Sequence, residues 1–216
     1  MHTVSRGPAP GGLRVIRDKY TPRWVRYYRN GTGRKPSDSK WRRFHPDLWN
    51  VFFGICGYCE QECKGEVEHF RPKSRFPERV YEWENWVLAC HVCNNMKSGK
   101  WPAGGYVDPC AKSRTARPES YFDFDTTTGE ILPTANLSAA RRRKAERMIA
   151  DLRLNEHHHL KARARWISVL SDVLDDQDAN DLRARRFANA VASRESRFSS
   201  ITRTWLKEQG YADERN

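Results

Sequence analysis

The chain has 216 residues, of which 38% are hydrophobic, and its formal net charge at pH 7 is +12. This length suffices for one sizeable domain or two small ones with a buried core. No apolar run approaches the roughly 20 residues that a membrane helix needs, and residues 1–12 lack the apolar region of a signal peptide. We therefore expect a cytoplasmic protein that does not contact a membrane.

The positive charge is concentrated near the N-terminus. Residues 1–43 contain 12 basic residues and two acidic ones, whereas residues 44–119 contain ten of each sign. Aromatic residues lie between these charges: Tyr20, Trp24, Tyr27, Tyr28 and Trp41. Basic side chains release counterions from nucleic acid, and aromatic rings stack on exposed bases. We therefore predict a basic N-terminal arm that contacts nucleic acid. The alternative is a solvated tail with an aromatic-anchored helix on the core.

The first part of the chain carries weak secondary-structure signals. Glycine and proline in residues 1–12 predict disorder, and residues 13–30 fit either a short helix or an extended arm. Residues 31–40 predict a loop. The stretch from Pro46 to Ile55 then predicts a short helix, whose apolar face leads the chain to the next motif.

Two Cys-x-x-Cys pairs, Cys56 with Cys59 and Cys90 with Cys93, are separated by 30 residues. A tight turn at each pair aims both sulfurs at one ion, and two pairs complete the tetrahedral set that zinc prefers. In a reducing compartment such pairs indicate a metal site before disulfides. We therefore predict a structural zinc site with a folded segment between its two halves.

Two further cysteines and a histidine lie near these pairs. Cys63 follows Cys59 by four residues and is an alternative ligand, but we expect both Cys63 and Cys110 to be small unliganded thiols. His91 lies inside the second pair. Four cysteines already fill the coordination shell, so His91 is expected beside the zinc rather than bound to it.

The segment between and after the pairs predicts a ββα order. A strand at about 66–70 is followed by a long loop, a second strand at about 86–89 and a helix that opens near Cys93 or Asn94. The complete module is predicted to span residues 44–110.

The residue types in this segment suit phosphodiester hydrolysis. His69 is a candidate general base, because the pKa of imidazole lies near neutrality. Glu68 and Asn94 offer the hard oxygen ligands that magnesium or manganese prefers, and Asn85 is expected to brace the intervening loop. Taken singly, these residues also fit an ordinary surface pair, a turn and a helix cap. Their joint placement between the cysteine pairs and directly after the second pair favours a catalytic site.

Basic residues flank these candidates on both sides. Arg71 and Lys73 follow the first strand and are predicted to contact phosphate, and Lys97 and Lys100 come next as phosphate contacts.

The arrangement resembles the His-Asn-His (HNH) endonucleases, which have a ββα-metal fold. The resemblance implies that His69 is the base, Glu68 and Asn94 bind the catalytic metal, and Asn85 braces the loop. Glu68 occupies a position where Asp is commoner, and Asn94 one where His is also found.

A closer resemblance rests on longer stretches of sequence. The stretches CGYCE, VEHFRPKS, YEWEN, CHVCNNMKSGKWP and YVDPC resemble the PtuB-like HNH subunits of Septu and retron antiphage systems. The similarity extends in outline over residues 50–175 and leaves the basic arm outside. It implies a phage-defence nuclease, with DNA the favoured substrate, that works with an ATPase partner.

Residues 111–216 predict a helical C-terminal region. Apolar residues at helical spacing indicate helices around Met148, Leu170, Phe187 and Trp205. The consecutive residues His157 to His159 do not indicate a chelate, because neighbouring helical positions point about 100° apart. The predicted class is α+β, with an HNH module embedded in a mostly helical protein.

Three other functions fit parts of this sequence. A zinc-knuckle module that binds nucleic acid or assembles with partners, without catalysis, needs only the cysteines. A nuclease directed at RNA, such as tRNA, would use the same metal site, because that site contacts mostly the backbone. A thiol enzyme is disfavoured, since both cysteine pairs are sequestered in one site.

Overall fold

The computed structural model describes residues 1–37, 39–174 and 181–211. Residue 38 of the predicted loop, and residues 175–180 and 212–216 of the predicted helical region, lie outside the described residues. The described chain combines helices with two small antiparallel sheets, which confirms the α+β class.

The ββα unit is present in the predicted order. Strand β1 (Glu66–His69) pairs antiparallel with β2 (Trp86–Ala89), and the paired ends place His69 opposite Trp86. Helix α3 (His91–Lys97) follows at once. It begins slightly earlier than predicted, because the Cys90 thiol caps its first turn by accepting a hydrogen bond from the Cys93 amide.

Two helices precede this unit. Residues Leu13–Tyr28 form a regular helix, α1, whose Leu13 and Trp24 are buried, so the segment is not an extended arm. Helix α2 (His45–Val51) is the predicted short helix, and its buried Leu48 packs in the main core.

The N-terminus differs from the expectation of disorder. Met1 to Val4 are buried, and the Val4 amide donates to the Pro109 carbonyl at 2.8 Å. The Thr3 hydroxyl donates to Glu119 at 2.6 Å. The prediction of disorder is wrong for these four residues, because apolar side chains at Met1 and Val4 join a core that local composition does not reveal.

The C-terminal region contains the predicted helices and one unpredicted hairpin. The hairpin pairs β3 (Phe122–Phe124) with β4 (Ile131–Pro133). The helices follow in chain order: α4 (Ala139–Asp151), α5 (His157–Leu174), α6 (Leu182–Val191) and α7 (Ser199–Glu208). None of the helices among the described residues is long and apolar enough to cross a membrane.

Two hydrophobic cores hold these elements. The larger one contains Met1, Trp24, Trp86 and Leu154, so residues from the arm, the ββα module and the C-terminal region pack together. The smaller one lies among α5, α6 and α7. The expected segment limits at residues 43 and 110 therefore do not coincide with the limits of the cores.

Gly129, in the β3–β4 turn, packs directly against α5. Its φ is +77°, and a β carbon built there would lie 2.7 Å from the Leu160 carbonyl oxygen. We expect Gly129→Ala to lower the free energy of unfolding by about 2 kcal/mol or more, because it adds overpacking to left-handed strain. Denaturant titration measures this.

Gly104→Ala is the matched control, because Gly104 has a φ of +80° and open space around it. This variant should lose only about 1 kcal/mol. Equal losses in the two variants would show that the hairpin does not pack tightly on α5.

Candidate active site and metal centre

The four cysteines of the two pairs come together. Their sulfurs lie within 4.8 Å of one another, and the Cys59 and Cys90 sulfurs are 3.7 Å apart. A tetrahedron with metal–sulfur bonds of about 2.3 Å has edges of about 3.8 Å, so the cluster has the size that zinc requires. It is the one group of this kind among the described residues. The prediction of four cysteines placed to bind a metal ion is confirmed.

The two remaining cysteines and His91 are not part of this cluster. Burial raises the pKa of Cys63 and of Cys110 to about 12, which keeps both thiols protonated at neutral pH. The His91 ring contacts the Glu66 carboxylate, with Nδ1 2.9 Å from Oε1.

His69 lies at the end of β1 with a defined tautomer. Its Nε2 is 2.9 Å from the Val80 carbonyl oxygen, which can only accept, so Nε2 carries the proton and Nδ1 carries the lone pair. Burial, followed by the positive charge of Lys73, lowers the pKa of His69 to about 3. The imidazole is therefore neutral at pH 7, with its lone pair at Nδ1.

Aromatic rings hold the His69 imidazole on two sides. Trp41 meets it edge to face with centroids 4.9 Å apart, and Trp86 does so at 6.5 Å. Trp86 also donates its indole N–H to the same Val80 carbonyl at 2.9 Å. Trp41 comes from the basic N-terminal arm, so the arm forms part of the wall around the candidate base.

Asn85 bridges both ends of the loop between the strands. Its Nδ2 donates to the carbonyls of Arg71 and Arg79 at 3.1 Å, and its Oδ1 accepts from the Arg71 amide at 2.8 Å. Asn85 is buried, so these contacts saturate its amide and set the loop geometry beside His69.

Glu68 is buried in an ion pair. Its Oε1 accepts from the Lys97 ammonium at 2.6 Å, and its Oε2 accepts from the Tyr58 hydroxyl at 2.6 Å. The Lys97 ammonium also donates to the His69 carbonyl at 2.9 Å. Lys97 is fully buried. Lys97 therefore holds Glu68 and the His69 backbone from inside the core, and it is not exposed as the predicted phosphate contact would be.

Asn94 meets a different carboxylate from the one expected. Its Nδ2 donates to Glu66, whereas no hydrogen bond joins Asn94 to Glu68 among the described contacts. Hydrogen bonding from His91 lowers the pKa of Glu66, which keeps this carboxylate ionised. Glu66 was not among the predicted site residues. The available signal was its position two residues before Glu68, because alternate residues of a strand share a face.

A cavity of about 850 Å³ connects these groups. Its lining includes two carboxylates, the candidate base and two side-chain amides of α3: Glu66, Glu68, His69, Asn94 and Asn95. Arg42 and Lys73 also line it. The cavity is large enough to admit a backbone phosphate, and it combines hard oxygen ligands with positive charge.

The other predicted phosphate contacts lie at different distances from this cavity. Lys73 is at its wall, and its ammonium lies 5.6 Å from the centroid of the Trp41 ring. The Arg71 guanidinium lies over the Phe76 ring at 5.8 Å. Lys100 is exposed and donates to the Asp151 carbonyl at the end of α4. Lys73 is thus the one of the four that lines the cavity.

Comparisons with known proteins agree with this geometry. Residues 56–100 match the model of the HNH endonuclease family. A 47-residue segment is 45% identical to a segment of Septu protein PtuB of Bacillus thuringiensis. The match covers 19% of this chain and 18% of that protein. The chain therefore aligns with less than a fifth of the relative's length.

The ββα unit with its four-thiol cluster therefore resembles the HNH endonuclease domain, as its sequence predicted. The matched segment also shows the expected similarity to PtuB.

The buried pair of Lys97 and Glu68 allows a test of this geometry. Lys97→Met should lower the free energy of unfolding by about 3–5 kcal/mol, because it leaves the Glu68 carboxylate buried without its counter-charge. Denaturant unfolding of the purified variant measures the loss.

Lys100→Met provides the control from the same stretch of chain, since Lys100 is exposed. It should change the stability by less than about 0.5 kcal/mol. A Lys97→Met protein as stable as Lys100→Met would contradict the buried ion pair.

Proposed function

We propose that this protein is a metal-dependent endonuclease that hydrolyses phosphodiester bonds of nucleic acid, with DNA the favoured substrate. The observation that carries the proposal is the His69 imidazole, which is neutral, held in one tautomer and placed in a cavity with two carboxylates and Asn94. A non-catalytic binding module has no requirement for this arrangement. The match of residues 56–100 to HNH endonucleases supports it.

In this mechanism, His69 Nδ1 accepts a proton from the attacking water. Its Nε2 keeps its own proton and donates it in a hydrogen bond to the Val80 carbonyl, which keeps the ring orientation constant while the charge develops. Asn85 donates to the carbonyls of Arg71 and Arg79, and Arg79 directly precedes Val80. Asn85 therefore holds the loop in which the Val80 carbonyl lies. Lys73, at the cavity wall, attracts the phosphate and stabilises its added negative charge.

The carboxylates and Asn94 form a donor set for a hard divalent cation. We propose that Glu68 and Asn94 bind magnesium or manganese and that Glu66, which contacts Asn94, belongs to the same set. Oxygen donors of this kind suit either ion. The ion would stabilise charge on the phosphate and the leaving oxygen. Lys97 orients the Glu68 carboxylate by binding one of its oxygens.

The four-thiol cluster has a separate, structural role in this proposal. Cys56, Cys59, Cys90 and Cys93 would hold a zinc ion that joins the segment before β1 to the start of α3. All four positions are occupied by sulfur, so this ion has no open site for a substrate. Its binding contributes to folding of the module.

We further propose that the nuclease acts in antiphage defence. The similarity to Septu protein PtuB supports this setting, although it spans 18% of that protein. The resemblance of residues 50–175 to Septu-type subunits implies that an ATPase partner regulates the nuclease. The basic residues of the N-terminal arm, including Arg42 at the cavity, suit nucleic acid as the other partner.

The central test is cleavage by His69→Ala. Loss of the general base should reduce the cleavage rate by about 10²- to 10⁴-fold, while the fold remains intact. Plasmid DNA and total tRNA are incubated with wild-type protein and the variant, with magnesium, manganese or EDTA, and the products are resolved on gels.

His157→Ala is the control, because His157 is exposed on α5. It should cleave like wild type. Equal cleavage by His69→Ala would remove His69 as the base. Cleavage of tRNA alone would replace DNA by RNA as the substrate. Without cleavage by wild type, the assay is repeated with the ATPase partner, and continued inactivity there would favour a binding module.

A second test addresses Glu66. Glu66→Gln should weaken manganese binding by about tenfold or more, because it removes a negative charge from the donor set. Manganese binding is measured directly by electron paramagnetic resonance, together with the manganese concentration that gives half-maximal cleavage.

The matched control is Glu62→Gln, at an exposed position just before β1. Unchanged manganese binding in Glu66→Gln, at the level of this control, would leave Glu66 as a partner of His91 and Asn94 without a role in the metal site.

A further inference from the structure

A groove of about 800 Å³ lies between α4 and the loop of residues 102–105. The charged side chains of its lining are four basic ones and one acidic one: Arg141, Arg143, Lys144, Arg147 and Glu146. Pro102, Ala103 and Ala150 add apolar surface. The groove lies outside residues 56–100, which match the HNH family. A lining that combines cations with apolar side chains suits a sugar–phosphate backbone.

The segment of residues 98–105 connects this groove to the cavity beside His69. Ser98 and Gly99 line the cavity, whereas Pro102 to Gly105 line the groove. The Cα atoms of Gly99 and Pro102 are at most about 11 Å apart, because an extended chain spans at most about 3.6 Å per residue. One strand of a duplex rises about 3.4 Å per phosphate. A strand bound in the cavity therefore reaches the groove within a few nucleotides.

Three cations beside this segment are held by neutral groups. The Arg75 guanidinium donates to the Trp101 carbonyl at 2.5 Å, and the Arg71 guanidinium lies 6.0 Å from the centroid of the Trp101 ring. The Lys100 ammonium donates to the Asp151 carbonyl at 3.0 Å. None of the three forms an ion pair with a described residue. Carbonyls and rings orient these cations without cancelling their charge, which leaves it available to a phosphate.

Helix α4 continues this row of positive charge. Arg147 Nε donates to Asp151 Oδ2 at 2.7 Å, so Arg147 and Lys100 meet at the same residue. The Arg147 side chain is 61% exposed and the Asp151 side chain 13%, so the cation faces solvent while its carboxylate is mostly covered. Arg143 is exposed one turn earlier on the same face of the helix. The two arginines are about 6 Å apart along the axis, which is about two phosphate steps of one strand.

We propose that these cations form a basic track that binds the phosphate backbone of the nucleic acid beyond the cavity beside His69. Its members lie in the loop after β1, after α3 and on α4: Arg71, Arg75, Lys100, Arg143 and Arg147. The inference rests on the proposed nuclease function and adds the path of its substrate. A nucleic-acid strand is favoured over an acidic protein segment, because the track begins at the cavity in which a phosphate must bind. Backbone contacts position the strand without reading its sequence.

The test compares Arg143→Gln/Arg147→Gln, the α4 variant, with Lys161→Gln/Arg165→Gln, the α5 variant. Each removes two exposed positive charges that lie four residues apart on one helix. Binding of a labelled DNA duplex and of labelled tRNA to the full chain is measured by fluorescence anisotropy at several salt concentrations, without added divalent cations.

The α4 variant should bind about tenfold or more weakly at about 0.1 M salt, because two phosphate contacts are lost. The slope of log affinity against log salt concentration should fall by about 2. The α5 variant should match wild type in both. If the α4 variant is unstable, Arg143→Gln decides in the same way, with a slope change of about 1.

A small phosphodiester, bis(p-nitrophenyl) phosphate, separates the track from the cavity. It has one phosphate and is too short to reach from His69 to α4. The α4 variant should hydrolyse it like wild type, whereas its KM for plasmid DNA should rise by about tenfold with kcat unchanged. This split is the signature of lost binding without a change in the chemical step.

The outcomes distinguish the track from the nuclease itself. Equal affinity and salt dependence in the α4 and α5 variants would overturn the track and leave the nuclease in place. An equal loss on DNA and on the small diester would also overturn it, since α4 would then act on the cavity. Lost binding of the ATPase partner, with unchanged nucleic-acid binding, would assign the groove to that protein. A wild-type protein that binds neither DNA nor RNA, alone or with the partner, would refute both proposals.

Discussion

The four thiols of the cysteine cluster bring together the two segments that flank the β1–β2 hairpin. The turn before β1 and the start of α3 meet there, with sulfurs within 4.8 Å of one another. Because Cys90 also caps α3, this contact sets where the helix begins and how it crosses the two strands. The positions of Asn94 and Lys97 relative to β1 depend on that crossing.

Paired charges hold the side chains that line the candidate site. Lys97 contacts Glu68 and the His69 carbonyl. Glu66 contacts Asn94 and His91 at the more exposed start of the same strand. Both carboxylates line the cavity, but one lies in a buried ion pair and the other is partly exposed. Two glutamates of one strand face therefore have different environments, since burial and counter-charge differ over a single strand repeat.

The regions outside the ββα unit pack against it and contribute to its core. Trp41, from the basic arm, packs on the candidate base, and Met1 lies in the same core as residues of β1 and β2. These contacts explain why the cores cross the boundaries that composition suggested. Net charge and patterning report on solvent exposure and periodicity but contain no information about which distant surfaces meet.

The sequence by itself determined the cysteine cluster, the ββα order and the C-terminal helices, because each depends on spacing or periodicity within a short window. Only the tertiary structure decided three further features: the burial of Lys97, the pairing of Asn94 with Glu66, and the ordered N-terminus. The physical reason is that a side chain's partner depends on the distance in space between residues about 30 or more positions apart. Local sequence does not encode that distance until the core has formed.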